Sequence, residues 1–405
     1  MIPDGGSRFG PPRFWRPAPR ELLTRVSARR VGPVLVAACV VGCGQAADEG
    51  NPSTEAHAPG VEIRTYSQGF PRDVEIDTAT EIIRLGTEEG GNGTRWFGRI
   101  GGVGLLDNGW IAVLDYYSAE VSVWDGNEFK LAFGRPGQGP GELGRPRGLL
   151  VDQENRIWIR ETGNLRYSQF GADGKFLRSV RIPPGARHNL WAARIDSAGG
   201  VVDVLVDGGP STGRAEWVLS TVRVDLNGDV AKFPGEVVIP FNTLSGSVLP
   251  RPFGGRPAVA VGDGLIWYAS TLDYRVMGVR RGDSSPSVAF LVEVEPEVVP
   301  AEERRQIARE WLEPEIIDLS EVPETRPKLG PVILISESYV GVFPQTDVIR
   351  VGTVMDLFSH QGAWLRRVHL PTRLDLSTPP VLADTMVIGV TVGHLDLPMV
   401  SAFRF

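Results

Sequence analysis

The stretch GRPGQGPGELGRPRGLLVDQENRIWIRETGNLRYSQFGADGKFL, Gly134 to Leu177, decides the fold. A glycine-rich turn leads to Pro146 and a first apolar run, the polar turn Asp152 to Asn155 follows, and Ile157 to Arg160 is a second run closed by Glu161. The turn Thr162 to Asn164 introduces a third run, which ends on Phe170 before Ala172-Asp173-Gly174. Runs of four to six residues bounded by Gly, Asn and Asp are too short for helices and read as strands of an antiparallel meander.

Moving outward, the end of this unit recurs. A strand closing on an aromatic or apolar residue and followed by a polar turn is found at Trp124, Phe170, Val224, Val279, Phe358 and Phe403, at intervals of 46, 54, 55, 79 and 45 residues. Each is preceded by a more apolar run: NGWIAVLD, ENRIWIRE, GGVVDVLVD, DGLIWYAS, SYVGVF and DTMVIGVT. β-branched and aromatic residues dominate these runs, as burial on both faces of a sheet demands. Four short strands per 40 to 50 residues is the repeat of a β-propeller. The expected fold is therefore all-β, a six-bladed β-propeller in one domain over residues 61–405. Because the sixth unit reaches Phe405 right after its third strand, its outer strand is expected from Glu81-Ile82-Ile83-Arg84-Leu85, which closes the ring and removes a sheet edge. The long interval before Phe358 holds AEERRQIAREWLE between Pro300 and Pro314, one inserted helix between blades four and five with acids in its first turn.

The chain has 405 residues, 42% of them hydrophobic, and its 49 Gly and 32 Pro imply many turns. Residues 1–42 carry seven arginines against Asp4 and Glu21, followed by the apolar run Val31 to Val41. A basic segment and an apolar run of this length match a secretory signal and are too short to span a bilayer roughly 30 Å thick. Val40-Val41-Gly42-Cys43 resembles the lipobox of bacterial lipoproteins, with Cys43 as the expected lipidated residue and Cys39 the second choice. Residues 44–60, dense in Gly, Pro, Ala and acids, read as a flexible tether. Both cysteines lie in the signal, so residues 61–405 contain no thiol for disulfides, metal or nucleophilic attack. Removing the five excess positive charges of residues 1–42 takes the formal charge from −7 to −12, and with only four lysines such a body argues against nucleic acid as partner.

Gly134 to Leu177 resembles the NHL repeat, and the whole of 61–405 is similar to the six-bladed propeller lipoproteins of bacterial envelopes. Proteins of this shape include non-catalytic interaction modules, lactone hydrolases and lyases, so the resemblance implies the fold and leaves the activity open.

Several groups could carry chemistry. Asp115, Glu161, Asp207, Asp273 and Asp396 fall at or just after the ends of second strands, hence on one face of the ring. Together they could hold Ca²⁺, which takes six to eight oxygens; the plainer account is that each accepts hydrogen bonds from its own turn and pairs with a nearby arginine, Glu161 with Arg166 and Asp273 with Arg275. Arg99, Arg147 and Arg256 lie at inner-strand starts, near the channel mouth, where they could clasp a carboxylate or phosphate. Of the histidines, His57, His360 and His369 fall in the tether, a turn and an outer strand, leaving His188 and His394, too few for a zinc site. Gly137-Gln138-Gly139-Pro140-Gly141 lacks the following helix that a phosphate-cradling loop needs. Trp110, Trp158, Trp267 and Trp364 sit inside apolar runs and read as packing between blades. The expectation is a monomeric, lipid-anchored propeller of the cell envelope that binds a protein or small-molecule ligand without catalysis or a resident cofactor. The alternative is a hydrolase or lyase with a divalent metal at the channel mouth.

Overall fold

The computed structural model describes residues 62–66, 74–86, 95–183, 193–208, 216–240, 255–262, 264–311, 322–344, 351–393 and 396–405. The tether, Cys39 and Cys43, and the two histidines His188 and His394 lie outside these residues.

Three strands precede the repeats: β1 (Glu62–Tyr66), β2 (Glu75–Thr78) and β3 (Thr80–Leu85). The first sheet is the meander β4 (Ile100–Leu105), β5 (Ile111–Asp115), β6 (Glu120–Asp125) and β7 (Glu128–Phe133). The stretch read first from the sequence forms the second: β8 (Pro146–Val151), β9 (Ile157–Glu161), β10 (Arg166–Phe170) and β11 (Phe176–Arg181). A third contains β12 (Arg194–Ile195), β13 (Val201–Gly208), β14 (Glu216–Val224) and β15 (Val230–Pro240). The fourth contains β16 (Pro257–Val261), β17 (Leu265–Ser270), β18 (Arg275–Arg280) and β19 (Pro286–Val292), and β1 adds to β19 in parallel as a fifth strand. After the helix α1 (Ala301–Trp311) come β20 (Leu329–Ile335), β21 (Val340–Pro344), β22 (Val351–Phe358), β23 (Trp364–Asp375), β24 (Val381–Ala383), β25 (Met386–Val392) and β26 (Pro398–Arg404).

The architecture is an all-β propeller with one helix among the described residues. The second strands Ile111–Asp115 and Ile157–Glu161 are buried at every position. This is why they read as unbroken apolar runs and not as alternating ones. Trp124, Phe170, Val224, Val279, Phe358 and Phe403 are all buried and all lie on third strands, where the repeat puts them.

Pairing departs from the sixfold repeat in one respect: it gives five sheets. Four carry a single meander, whereas the fifth has nine strands, because β20–β23 and β24–β26 with β3 are joined through the pair Leu374 and Thr391. The cause is length. At 12 residues β23 runs to about 40 Å, twice an ordinary strand, and its far end passes the limit of its own meander. The closure itself takes the expected form: β3 pairs antiparallel with β26, Ile83 opposite Ala402. The parallel additions of β1 on β19 and of β2 on β23 were not expected from the sequence.

Packing runs from sheet to sheet. Inner strand β4 contacts β8, β8 contacts β12, β13 contacts β16, β16 contacts β20, β20 contacts β24, and β24 returns to β4. Apolar clusters fill these seams, for example Leu114, Val121 and Leu143 against Leu149, Ile159 and Phe170. Inner strands β4 and β8 approach so closely that a Cβ on Gly102 would lie 2.7 Å from the Leu149 nitrogen, which is the reason for glycine there. The helix rides outside the seams, held by Arg304 Nε donating to the Val322 carbonyl and by Arg326 paired with Glu297 and Glu303.

Candidate functional site

In each meander the start of the first strand and the end of the second share one face of the ring. The backbone shows this directly: Tyr116 N–H donates to Arg99 O at 2.7 Å, Thr162 N–H to Arg145 O at 3.2 Å and Thr271 N–H to Arg256 O at 3.0 Å. Arg99, Arg147, Arg194, Arg256 and Lys328 therefore precede or begin inner strands on the same face, beside the turns that follow Asp115, Glu161, Asp207 and Asp273.

The carboxylates on this face do not act as one cluster. Asp115 is buried and accepts the N–H groups of Gly98 (2.6 Å), Tyr117 (2.8 Å) and Ser118 (3.3 Å). Glu161, fully buried, takes Gly144 N–H (2.8 Å) and Asn164 Nδ2 (2.5 Å) on one oxygen, and Arg166 Nε (2.8 Å) and the Ser168 hydroxyl on the other. The expected pairing of Glu161 with Arg166 is present, and both acids satisfy their own turns as the plainer account required. Asp207 and Asp273 are exposed on two further sheets, and Asp396 is exposed in the turn after β25. Each Glu161 oxygen already meets two donors, and Asp115 meets three backbone N–H groups.

The loop Gly137 to Gly141 is held from inside the chain. Glu142 accepts the N–H groups of Gln138 (3.0 Å) and Gly139 (2.9 Å), and these bonds, with Arg135, lower its pKa below the usual carboxylate value. Arg166 donates to the carbonyls of Gln138, Gly139 and Glu142. The N–H groups of Gly137, Gln138 and Gly139 are thus all engaged within the chain.

Two of the three predicted arginines do converge. The guanidinium carbons of Arg99 and Arg147 lie 5.3 and 5.2 Å from the centroid of the Tyr116 ring, and neither forms an ion pair with a described carboxylate. Tyr117 meets Tyr116 edge-on at 5.5 Å and is exposed, as are Trp96 and Leu165 on neighbouring turns. Arg256 stands apart on the fourth sheet, its N–H donated to the Thr271 hydroxyl at 3.0 Å.

Beneath this mouth lies a cavity of about 120 Å³ lined by Gly102, Val103, Leu149, Arg160, Tyr167 and Pro380 among others. That is close to the roughly 150 Å³ known to hold a benzene-sized ring. Its polar wall is a buried lock between the second and third sheets: the Tyr167 hydroxyl donates to Asp203, which is fully buried, and Arg160 Nη1 stands 3.7 Å from the same carboxylate. Burial, then the charge of Asp203, raises the Tyr167 pKa well above 10. A second lock joins the fourth sheet to the fifth, with Tyr274, Asp356 and Arg367. The sequence reading passed over both. The signal was an acid within a run otherwise buried on both faces, Asp203 in VVDVLVD and Asp356 in VGTVMDLF, where a charge persists only if partnered.

The remaining assignments divide. Trp158, Trp267 and Trp364 are buried at sheet contacts as expected, and Trp110 is partly buried beside Lys130. His360 sits in the β22–β23 turn and His369 in β23, apart from this mouth.

No family model matches the chain. A 47-residue stretch, 12% of the chain, is 45% identical to Protein lin-41 of Caenorhabditis elegans, and covers 4% of that protein's length. Among solved structures, a Bacteroides fragilis protein described as exported is 11% identical, with 85% of this chain and 99% of that one covered and a TM-score of 0.47. A gluconolactonase of Xanthomonas campestris is also 11% identical, over 80% and 89% of the two chains, with a TM-score of 0.43. Virginiamycin B lyase of Staphylococcus aureus is 8% identical, over 76% and 94%, with a TM-score of 0.37. At these values the propeller assignment rests on the strand order of the chain itself.

Proposed function

We propose that the protein is a non-catalytic, ligand-binding propeller that takes a carboxylate-bearing molecule at the channel mouth, between Arg99 and Arg147, with a ring-sized apolar group in the cavity below. The observation that carries this reading is the pair of half-buried arginines set over Tyr116 with no ion-pair partner among the described carboxylates. Such cations are held at a cost in solvation, and their planar forks match a carboxylate bidentately. Arg256 lies on the same face, where it would engage a longer ligand or a protein segment. Asp115 and Glu161, the strongest candidates for metal or acid–base chemistry, are instead engaged by their own turns, which favours binding over a hydrolase or lyase.

The wider frame belongs to the same proposal. We count six blades, taking the nine-stranded sheet as two meanders bridged at Leu374; the cyclic order of the inner strands and the apolar cluster at each of their contacts support that count. The signal-like first segment and the lipobox at Cys43 support secretion and a lipid anchor at the cell envelope, with the propeller acting as a monomer on a tether.

Isothermal titration of benzoate, glucuronate and citrate at constant ionic strength tests the site. Arg99→Gln with Arg147→Gln should weaken the best binder more than tenfold, since each lost charge-assisted pair is worth about 1.5–3 kcal/mol, while the melting temperature stays unchanged. Failure of all three to bind, or equal binding by the double variant, overturns the reading.

A further inference from the structure

A second basic site lies on the opposite face. It is a groove of about 790 Å³ where three sheets meet: Phe233 from the third, Arg280, Arg281 and Ser287 from the fourth, His360 and Gln361 from the fifth. We propose that this groove binds a phosphate monoester, held by Arg280, Arg281 and His360.

The cations are available. Neither Arg280 nor Arg281 forms an ion pair with a described carboxylate, Asp283 of the same turn included; Asp283 only gives its N–H to the Arg280 carbonyl at 3.0 Å. The Arg281 guanidinium carbon lies 5.7 Å from the Phe233 ring centroid, within cation–π range. The His360 ring lines the groove and meets Trp267 edge-on at 6.3 Å; its Nε2 is closed off from solvent and has no hydrogen-bond partner among the described residues. Asp384 has its oxygens engaged by the hydroxyls of Ser336 and Ser338.

The groove is also rigid where it must be. The turn carrying His360 and Gln361 is closed by Ser359, whose hydroxyl oxygen accepts Gln361 N–H (3.2 Å) and Ala363 N–H (3.1 Å). Tyr66 of β1 ties the turn down, accepting Trp364 N–H at 2.7 Å and donating to Gly362 O at 3.1 Å. On the other wall Arg281 N–H donates to Gly264 O at 2.9 Å. A preformed set of donors avoids ordering costs on binding.

The chemistry selects the ligand class. Two fixed positive charges match the roughly −1.5 to −2 of a phosphate monoester at neutral pH, and planar guanidinium forks suit its oxygens. Phe233, Leu265 and Val288 line the rest of the groove and offer an apolar bed for the esterified group. A soluble phosphate ester and a lipid headgroup share this chemistry.

The test is titration of the full-length protein with inorganic phosphate and glycerol phosphate at constant ionic strength, with acetate as the control, together with flotation on phosphatidylglycerol against phosphatidylcholine vesicles. Phosphate should bind at least tenfold more tightly than acetate, and Arg280→Gln with Arg281→Gln should remove that preference, as His360→Phe should reduce it severalfold. Arg99→Gln with Arg147→Gln should leave it intact, which separates this groove from the channel mouth. Vesicle binding lost in the Arg280/Arg281 variant identifies the headgroup as the source; soluble esters binding with no vesicle dependence identifies a free ester. In the Arg99→Gln/Arg147→Gln background, acetate binding as well as phosphate overturns the proposal, as does an Arg280→Gln/Arg281→Gln variant that binds phosphate like the wild type.

Discussion

Replacing Asp356 by alanine should be among the most damaging single changes in the ring. The carboxylate is fully buried and receives Arg367 through two parallel bonds, Nε to Oδ1 at 2.6 Å and Nη2 to Oδ2 at 2.7 Å. Tyr274, on the adjacent sheet, adds its hydroxyl to Oδ2 at 2.5 Å. Truncation strands a guanidinium and a buried phenol at a sheet contact, a loss of about 3–5 kcal/mol for a buried pair; Arg367 keeps a quarter of its exposure, so the lower end, about 3 kcal/mol, applies. Unfolding entropy near 2.1 cal/mol/K per residue over the roughly 350 residues of Ala56–Phe405 gives about 0.7 kcal/mol/K, and hence a fall in melting temperature of about 4 °C. Tyr274→Phe removes one bond to a charged group and should cost about half as much. Adding Arg367→Met to Asp356→Ala should recover part of the loss, because no unpaired charge then remains. Differential scanning calorimetry of the four proteins decides it. An Asp356→Ala melt within 1 °C of wild type, or no recovery in the double variant, would refute the lock.

Alkaline pH should loosen the same seams. Burial and the neighbouring carboxylates raise Tyr167 and Tyr274 well above 10, and burial pushes Tyr268 up to about 12. The folded state holds these protons more tightly than the unfolded one, so their stabilisation is complete below pH 10 and is lost as pH climbs through the folded values; Tyr167→Phe with Tyr274→Phe should flatten the melting curve between pH 10 and 12. Deleting residues 61–90 removes β1, β2 and β3, re-exposes β26 as an edge, and should give an aggregating chain without a cooperative melt; a normal melt would exclude closure by β3. Cys43→Ser should move the protein from the membrane to the soluble fraction, and sedimentation with membranes despite the change would rule out Cys43 as the anchor.

The meanders were legible because their cues are local. A two-sided buried strand has to be apolar along its whole length, and a two- or four-residue turn has to carry Gly, Asn or Asp, so NGWIAVLD and ENRIWIRE state their place in a sheet without reference to distant residues. The closure by β3 was expected because the last meander stops at its third strand, and β3 does pair antiparallel with β26. What escaped was what depends on three-dimensional neighbours. β1 and β2 attach in parallel to outer strands that their own sequences do not specify, and the nine-stranded sheet depends on how far β23 overruns its meander. In the candidate site, Arg99 and Arg147 were picked out from their positions at strand starts, yet Tyr116, which holds both, carries no marker in the sequence. Arg160 and Tyr167 were hidden in the same way, inside runs that read as plain strand.

An acidic protein can present unpaired arginines locally where its own turns engage the neighbouring acids. In a meander the second strand ends in a turn that needs an acceptor for its free N–H groups, and Asp115 and Glu161 fill that need by turning inward. Their charge is thereby drawn into the turn and away from the mouth. An arginine at the start of the next inner strand has no such demand made on it and projects along the rim, as Arg99 and Arg147 do. On the other face Asp384 is engaged by Ser336 and Ser338, and Arg280 and Arg281 project in the same manner. The net charge of residues 61–405 therefore does not fix the sign of the field at either opening. If the acids are the structural members of these turns and the arginines the free ones, Asp115→Asn should lower stability with little effect on carboxylate affinity, and Arg147→Gln should do the reverse.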